Sequence, residues 1–344
     1  MVSGHSTTRH GNRPARSAAV GSPAAGPSPF RGPGLKGRAL RPFATFLVAT
    51  IFIAAGARPA WAEGCLDAQG KAGKPVYLTL DTGHMGVAPL MADILAKHQV
   101  RVTFFGANER TQTGDGSLGK DWAPWWKARA AEGHEFASHT FDHTYWRGDV
   151  APGGRSDGPS RARPAPPGGS AVREATSVGA VQFRVRPSAG PAEGRESVWS
   201  AAQYCAEITK AASRLEAITG KKPLPLFRAP GGKTSPQLLA AAQACGYAHV
   251  GWSPAGFLGD ELSSEAFPND QLLKKALRDI RSGDILLAHL GIWSRQDPWA
   301  PAVLEPLITG LKQRGFCFAT LAEHPRYQAW ITQQAGRAPA GAAK

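Results

Sequence analysis

The 344-residue chain is 42% apolar, enough for a sizeable core, and its formal charge of +14 invites a polyanion-binding reading. The charge sits in the wrong places for one. Residues 1–62 hold eight Arg or Lys and no acid, and residues 147–196 add a further +3, leaving about +3 for the remainder, so no nucleic-acid partner is expected.

In chain order, residues 1–36 are rich in Gly, Pro, Ser and Arg and read as a disordered extension. Arg38 and Arg41 then precede an apolar run from Phe43 to Gly56, which closes on Ala60-Trp61-Ala62. That pattern is a secretory signal peptide, too short and wrongly flanked for a lasting membrane span. The mature protein is expected to begin near Glu63 and to work in the periplasm or secreted. Residues 63–330 form its domain, with a Pro/Gly/Arg-rich insertion at about 147–196 and a disordered tail at 331–344. Export makes the four cysteines candidates for disulfides, with three possible pairings. The expected pairs are Cys65–Cys317, joining the domain's ends, and Cys205–Cys245, joining neighbouring segments.

A buried strand over 76–80 stops at Asp81-Thr82-Gly83-His84. A helix over 87–98, a strand over 100–107, a helix over 122–133 and a short strand over 134–139 follow. The insertion lacks an apolar period and reads as exposed and unstructured. Order returns with a helix over 199–220 ended by Gly220. Strands over 224–229, 247–253, 284–289 and 316–321 then alternate with helices over 235–246, 270–283 and 301–315. Such alternation implies a parallel sheet, and this many repeats suggests a barrel, with an open doubly wound sheet as the other architecture. Functional groups then belong at the C-terminal ends of strands, where this chain puts Asp81, His139, Arg228 and His289.

His139 and His143 are four residues apart, a spacing at which two neutral imidazoles can clamp a divalent metal. In Arg228-Ala229-Pro230-Gly231-Gly232, proline fixes the turn and the glycines permit a close approach to the backbone. An arginine there can hold a carboxylate ionised. His289 is released at the end of a buried strand, where a satisfied core histidine is the commoner case.

Together these segments resemble the polysaccharide deacetylases, the NodB-homology carbohydrate esterases. That family runs TFDDG, H-[ST]-x-x-H, R-x-P-[GY]-G, an Asp- and Trp-containing segment, and L-x-H. The counterparts here are Thr79–Gly83, His139–His143, Arg228–Gly232, Gly251–Asp260 and Leu287–His289. The resemblance implies an α/β fold, a distorted and incomplete (β/α) barrel, and removal of acetyl groups from N- or O-acetylated sugars with a divalent metal. Zinc is the first expectation, with cobalt, nickel or manganese as alternatives. It further implies that His139 and His143 are metal ligands and Asp81 the general base. Arg228 would orient Asp81, and His289 would protonate the departing amine.

Two departures stand out. Thr82 occupies the place of the second Asp, the family's third metal ligand, and a neutral hydroxyl is a poor substitute for a carboxylate. Either His84 completes the site as a third imidazole, or Asp81 becomes the ligand and another group, such as Asp142, the base. In the fourth segment Ala255 and Leu258 stand near the places of the usual acids, leaving Asp260 as a displaced carboxylate for Arg228 or His289. Of Trp122, Trp125 and Trp126, one or two are expected to be packing residues, whereas Trp146 and Trp293, with Pro230 and Gly231, are expected to touch substrate. The expected function is deacetylation of an acetylated envelope polysaccharide such as peptidoglycan or an exopolysaccharide. The alternative is a non-catalytic carbohydrate-binding relative.

Overall fold

The computed structural model describes residues 65–67, 69–150 and 181–336. The extension and signal peptide expected over 1–62, the middle of the insertion and residues 337–344 lie outside them. In chain order the elements are β1 (Lys74–Asp81), α1 (Ala88–Lys97), β2 (Thr103–Gly106), α2 (Ala123–Ala131), β3 (Glu135–Ser138), β4 (Thr144–Val150), β5 (Gln182–Pro187), β6 (Ser197–Ser200) and α3 (Ala201–Thr219). Then come β7 (Leu226–Phe227), α4 (Pro236–Ala244), β8 (Ala248–His249), α5 (Asn269–Asp279), β9 (Ile285–His289), α6 (Trp299–Ala302), α7 (Leu304–Gln313), β10 (Phe316–Phe318) and α8 (Pro325–Ala335).

Seven strands form one parallel sheet in the order β10-β1-β2-β3-β7-β8, with β9 also on β1. Among the described residues no ladder joins β8 to β9. Instead the irregular segment after β8 lies along β9, where Ser253 N donates to Ile285 O at 3.0 Å and Leu258 N to Leu287 O at 3.3 Å. This is the expected distorted, incomplete barrel. Its strands are covered on both faces, so β1 buries Val76, Leu78 and Leu80 as well as Tyr77 and Thr79 instead of alternating. Trp126, Phe104 and Phe136 fill the space beneath α2, each burial contributing roughly 1.5–3 kcal/mol. Trp126 and Trp299 are buried, and Trp122 and Trp125 pack against the same core. The long α3 starts at a capping box between Ser200 and Gln203 and stops at Gly220 with φ +69°.

Two expectations need correction. The insertion is not unstructured at its ends, because β4, β5 and β6 form an antiparallel three-stranded sheet. In β5, Phe183, Val185 and Pro187 point inward while the intervening residues are exposed, the period of a half-buried strand. The tail does not begin at 331 either, since α8 runs to Ala335 and Ile331 packs beside Tyr327 and Leu321. Both expected disulfides are present, Cys65–Cys317 and Cys205–Cys245. Among the described residues no helix is long and apolar enough to cross a membrane.

Candidate active site

The parallel register brings the strand ends together. Asp81 and His289 are paired across β1 and β9, and Asp81 also stands beside Phe105 of β2. Ser138 of β3 pairs with Phe227 of β7, so His139 and Arg228, one residue further on each strand, emerge side by side. A cleft of about 320 Å³ opens over these ends. A larger cavity of about 750 Å³ lies beside the starts of β2, β3 and β10 and contains none of these residues.

Asp81 and Arg228 form a buried pair, with Arg228 Nη1 donating to Asp81 Oδ1 at 2.6 Å. The guanidinium is fully enclosed. It also donates to Thr79 Oγ1 at 2.9 Å, Val250 O at 3.2 Å and Gly251 O at 3.3 Å, and it lies over the Phe105 ring at 4.2 Å. A charge can be buried only when its donors are so satisfied. The other carboxylate oxygen, Oδ2, faces His139 Nε2 at 3.4 Å.

His139 Nδ1 lies 2.9 Å from Arg228 O, an atom that can only accept, so Nδ1 carries the proton and Nε2 presents its lone pair to the cleft. Burial above all, with His143 and Arg228 adding to it, holds the His139 pKa well below its usual value, so the ring is neutral. His143 reaches the same place by a non-helical turn. Thr140 and His143 adopt φ +61° and +46°, and the two rings stand 4.8 Å apart. A β-branched residue at positive φ is strained, and Thr140 is held there by donation of Thr144 N to its Oγ1 at 2.7 Å. Ser188 Oγ lies 2.6 Å from His143 Nδ1.

On the opposite side of Asp81, Asp260 holds His289. His289 N donates to Asp260 Oδ2 at 2.6 Å, and Nδ1 lies 3.1 Å from the same oxygen. Burial lowers the His289 pKa, but the Asp260 charge and hydrogen bond outweigh it, with Asp81 and Glu261 adding to them, and the result is about 9. The displaced carboxylate thus serves His289 and not Arg228.

Other expected residues are placed differently. His84 does not join the histidine pair. Its Nδ1 accepts from Gly86 N at 2.9 Å, its ring packs edge-on to Trp293, and it lines a neighbouring cavity. Thr82 Oγ1 accepts from Ala107 N at 3.0 Å, so its hydroxyl ties β1 to the end of β2. Asp142 lies outside the cleft, beside Gly190 and Glu207. Trp146 is turned away as well, packing on the Phe183 cluster with Nε1 on Asp149 Oδ1. Strand alternation explains this, because Tyr145, not Trp146, shares the face of His143. Trp293 lines the cleft and is 55% exposed, with Arg110 over its ring. Pro230 is buried, while Gly231 lines the cleft at φ +67°, where a Cβ would lie 2.9 Å from Tyr145.

Sequence reading missed Tyr145, Trp252, Glu109 and Glu261, all of which line the cleft. Glu109 Oε1 lies 3.8 Å from His143 Nδ1, and its buried Oε2 has no hydrogen-bond partner among the described residues. The available signal was position, since Glu109 follows the C-terminal end of β2. Among the described residues no three His, Cys, Asp or Glu side chains stand as a ready-made ligand group.

Comparison with known proteins places the chain in a family. The family model for polysaccharide deacetylase matches residues 68–250. The chain is 26% identical over 256 residues to a chitooligosaccharide deacetylase of Azorhizobium caulinodans, covering 72% of this chain and 92% of that protein. It is 31% identical over 112 residues to a peptidoglycan-N-acetylglucosamine deacetylase of Bacillus cereus, covering 31% of this chain and 48% of that one. Among solved structures, a family 4 acetyl xylan esterase from Clostridium thermocellum, in complex with a cobalt ion, superposes with a TM-score of 0.49. It is 21% identical, covering 74% of this chain and 91% of that one.

Proposed function

The chain belongs to the polysaccharide deacetylase family, and from that premise we propose that it is a metal-dependent hydrolase. Its substrate would be an N-acetylated, or alternatively O-acetylated, envelope polysaccharide such as peptidoglycan or an exopolysaccharide. It would act in the periplasm or after secretion. The observation that carries this reading is the pairing of an Arg228-held Asp81 with an Asp260-held His289 across one cleft.

The residues present suit a divalent ion. His139 is neutral, its Nε2 lone pair is free of the Arg228 bond, and Glu109, which lines the same cleft, has a carboxylate oxygen without a partner among the described residues. His139 and His143 would hold the ion, zinc before cobalt, nickel or manganese. Bound there, it would polarise the acyl carbonyl and make a water molecule more acidic.

The protein's own groups account for the proton traffic. Arg228 occupies Oδ1 of Asp81 and leaves Oδ2 to take a proton from the attacking water. His289, with its pKa at about 9, is protonated at neutral pH and can give that proton to the departing amine. An acid and a base on opposite sides of the scissile bond are what amide cleavage requires, and an amine is too poor a leaving group to depart unprotonated. The exposed Trp293 and the nearby Tyr145 offer flat faces to a sugar ring.

The decisive experiment measures acetate release from chito-oligosaccharides and peptidoglycan by zinc- or cobalt-loaded protein, beside Asp81→Asn. Release that depends on both metal and Asp81 supports the reading. One observation favours the alternative of a non-catalytic carbohydrate-binding relative: Thr82 uses its hydroxyl to hold Ala107 N and offers no carboxylate. Oligosaccharide binding without acetate release from metal-loaded protein would make that relative the better description.

A further inference from the structure

We infer that Glu109 supplies the third protein ligand of the metal site, so that the carboxylate missing at Thr82 has moved from the end of β1 to the loop after β2. This inference rests on the metal-dependent reading above.

Four observations support it. First, the Glu109 side chain is 19% exposed, and its Oε2 is buried without a partner among the described residues. A carboxylate oxygen left in that state costs about 1–3 kcal/mol or more, so it calls for a partner that the described residues do not provide. Second, the separations suit ligands of one ion. Glu109 Oε1 to His143 Nδ1 is 3.8 Å, and the His139 and His143 rings stand 4.8 Å apart. Donor atoms of a tetrahedral zinc with bonds of about 2.0–2.1 Å stand about 3.3–3.4 Å apart. To offer Nδ1 to an ion, His143 would have to leave Ser188 Oγ, which now lies 2.6 Å from it.

Third, the backbone that carries Glu109 is fixed to both neighbours of the site. Asn108 N donates to Phe141 O at 2.6 Å, inside the turn between the two histidines. Glu109 N donates to Ser117 Oγ at 2.9 Å, and Thr82 Oγ1 holds Ala107 N two residues upstream. The residue that lost the carboxylate now positions the strand end that brings another. Fourth, two imidazoles with one carboxylate and an open position form a donor set that suits catalytic zinc. His84 cannot contribute to it without leaving Trp293 and Gly86.

The test titrates the protein with zinc by calorimetry and with cobalt by visible absorption, for wild type, Glu109→Gln, His84→Ala and the double variant Thr82→Asp/Glu109→Gln. Melting curves by circular dichroism establish that each variant is folded. The inference expects one equivalent bound by wild type and by His84→Ala. It expects roughly hundredfold or greater weakening with a changed cobalt spectrum in Glu109→Gln, and recovery in the double variant. Glu109→Gln binding zinc as tightly as wild type would overturn the inference while leaving the metal-dependent reading in place. Wild type that binds neither metal would overturn both.

Discussion

The peptide oxygen of Arg228 receives Nδ1–H of His139 at 2.9 Å, while the side chain of the same residue holds Asp81 at 2.6 Å. One residue therefore sets the tautomer of the histidine and the orientation of the acid. Because both depend on a guanidinium with no exposure, its removal should disturb stability and chemistry together. Arg228→Met leaves Asp81 buried and unpaired and should lower unfolding free energy by about 3–5 kcal/mol in urea. A loss below about 1 kcal/mol would mean that Asp81 does not need the clamp.

The pH response of His289 is fixed by Asp260. Burial alone would lower its pKa, and Asp260 above all, with Asp81 and Glu261, instead carries it to about 9. A raised folded-state pKa contributes stability that is complete below the unfolded value of about 6.5 and is lost between there and about 9. Asp260→Asn removes the largest raising charge but not the burial, so His289 should titrate at lower pH than in the wild type. The alkaline limb of the pH–rate profile should then move to lower pH. Imidazole NMR of both proteins checks this, and an unchanged His289 titration would refute it.

Trp293 is a separable contributor. Being 55% exposed, it should tolerate Trp293→Ala with less than about 0.5 kcal/mol change in stability. Loss of a stacking face worth about 0.5–1.5 kcal/mol should raise KM for chito-oligosaccharides several-fold and leave kcat nearly unchanged. An unaltered KM would remove Trp293 from the substrate platform.

Gly231 combines φ +67° with a Cβ position 2.9 Å from Tyr145. Gly231→Ala should cost about 1–2 kcal/mol from backbone conformation alone and should push Tyr145 out of the cleft. Tryptophan fluorescence unfolding measures the first effect. Weaker oligosaccharide binding in the folded variant would report the second.

Much of this site could be read from sequence because parallel strands gather their C-terminal residues whatever lies between them. Asp81, His139, Arg228 and His289 each stand at or just beyond a strand end, so chain order alone located them. The errors arose where geometry departs from adjacency. Trp146 is near His143 in sequence, yet the pleat turns it to the opposite face. His84 is two residues from Thr82, yet Gly83 lies so close to Gly291 O, 2.0 Å from where a Cβ would be, that the loop carries the imidazole toward Trp293. Glu109 is a single acid in a polar loop, and only the bond from Asn108 N to Phe141 O reveals its place beside the histidines. The alternation of Phe183 and Val185 in β5 was present in the sequence but obscured by surrounding Pro, Gly and Arg.

The Cys65–Cys317 bridge has a directional consequence. Cys317 lies in β10, alongside the first residues of β1, so the chain enters the barrel at the strand starts, away from the cleft. A tether, tag or solid support joined ahead of Cys65 would leave the opening facing outward, toward an insoluble polymer. The bridge would also carry any pull on that tether into the central strands, sparing the short Leu66–Ala72 hairpin. For immobilisation or surface display, the amino-terminal side is the one to use.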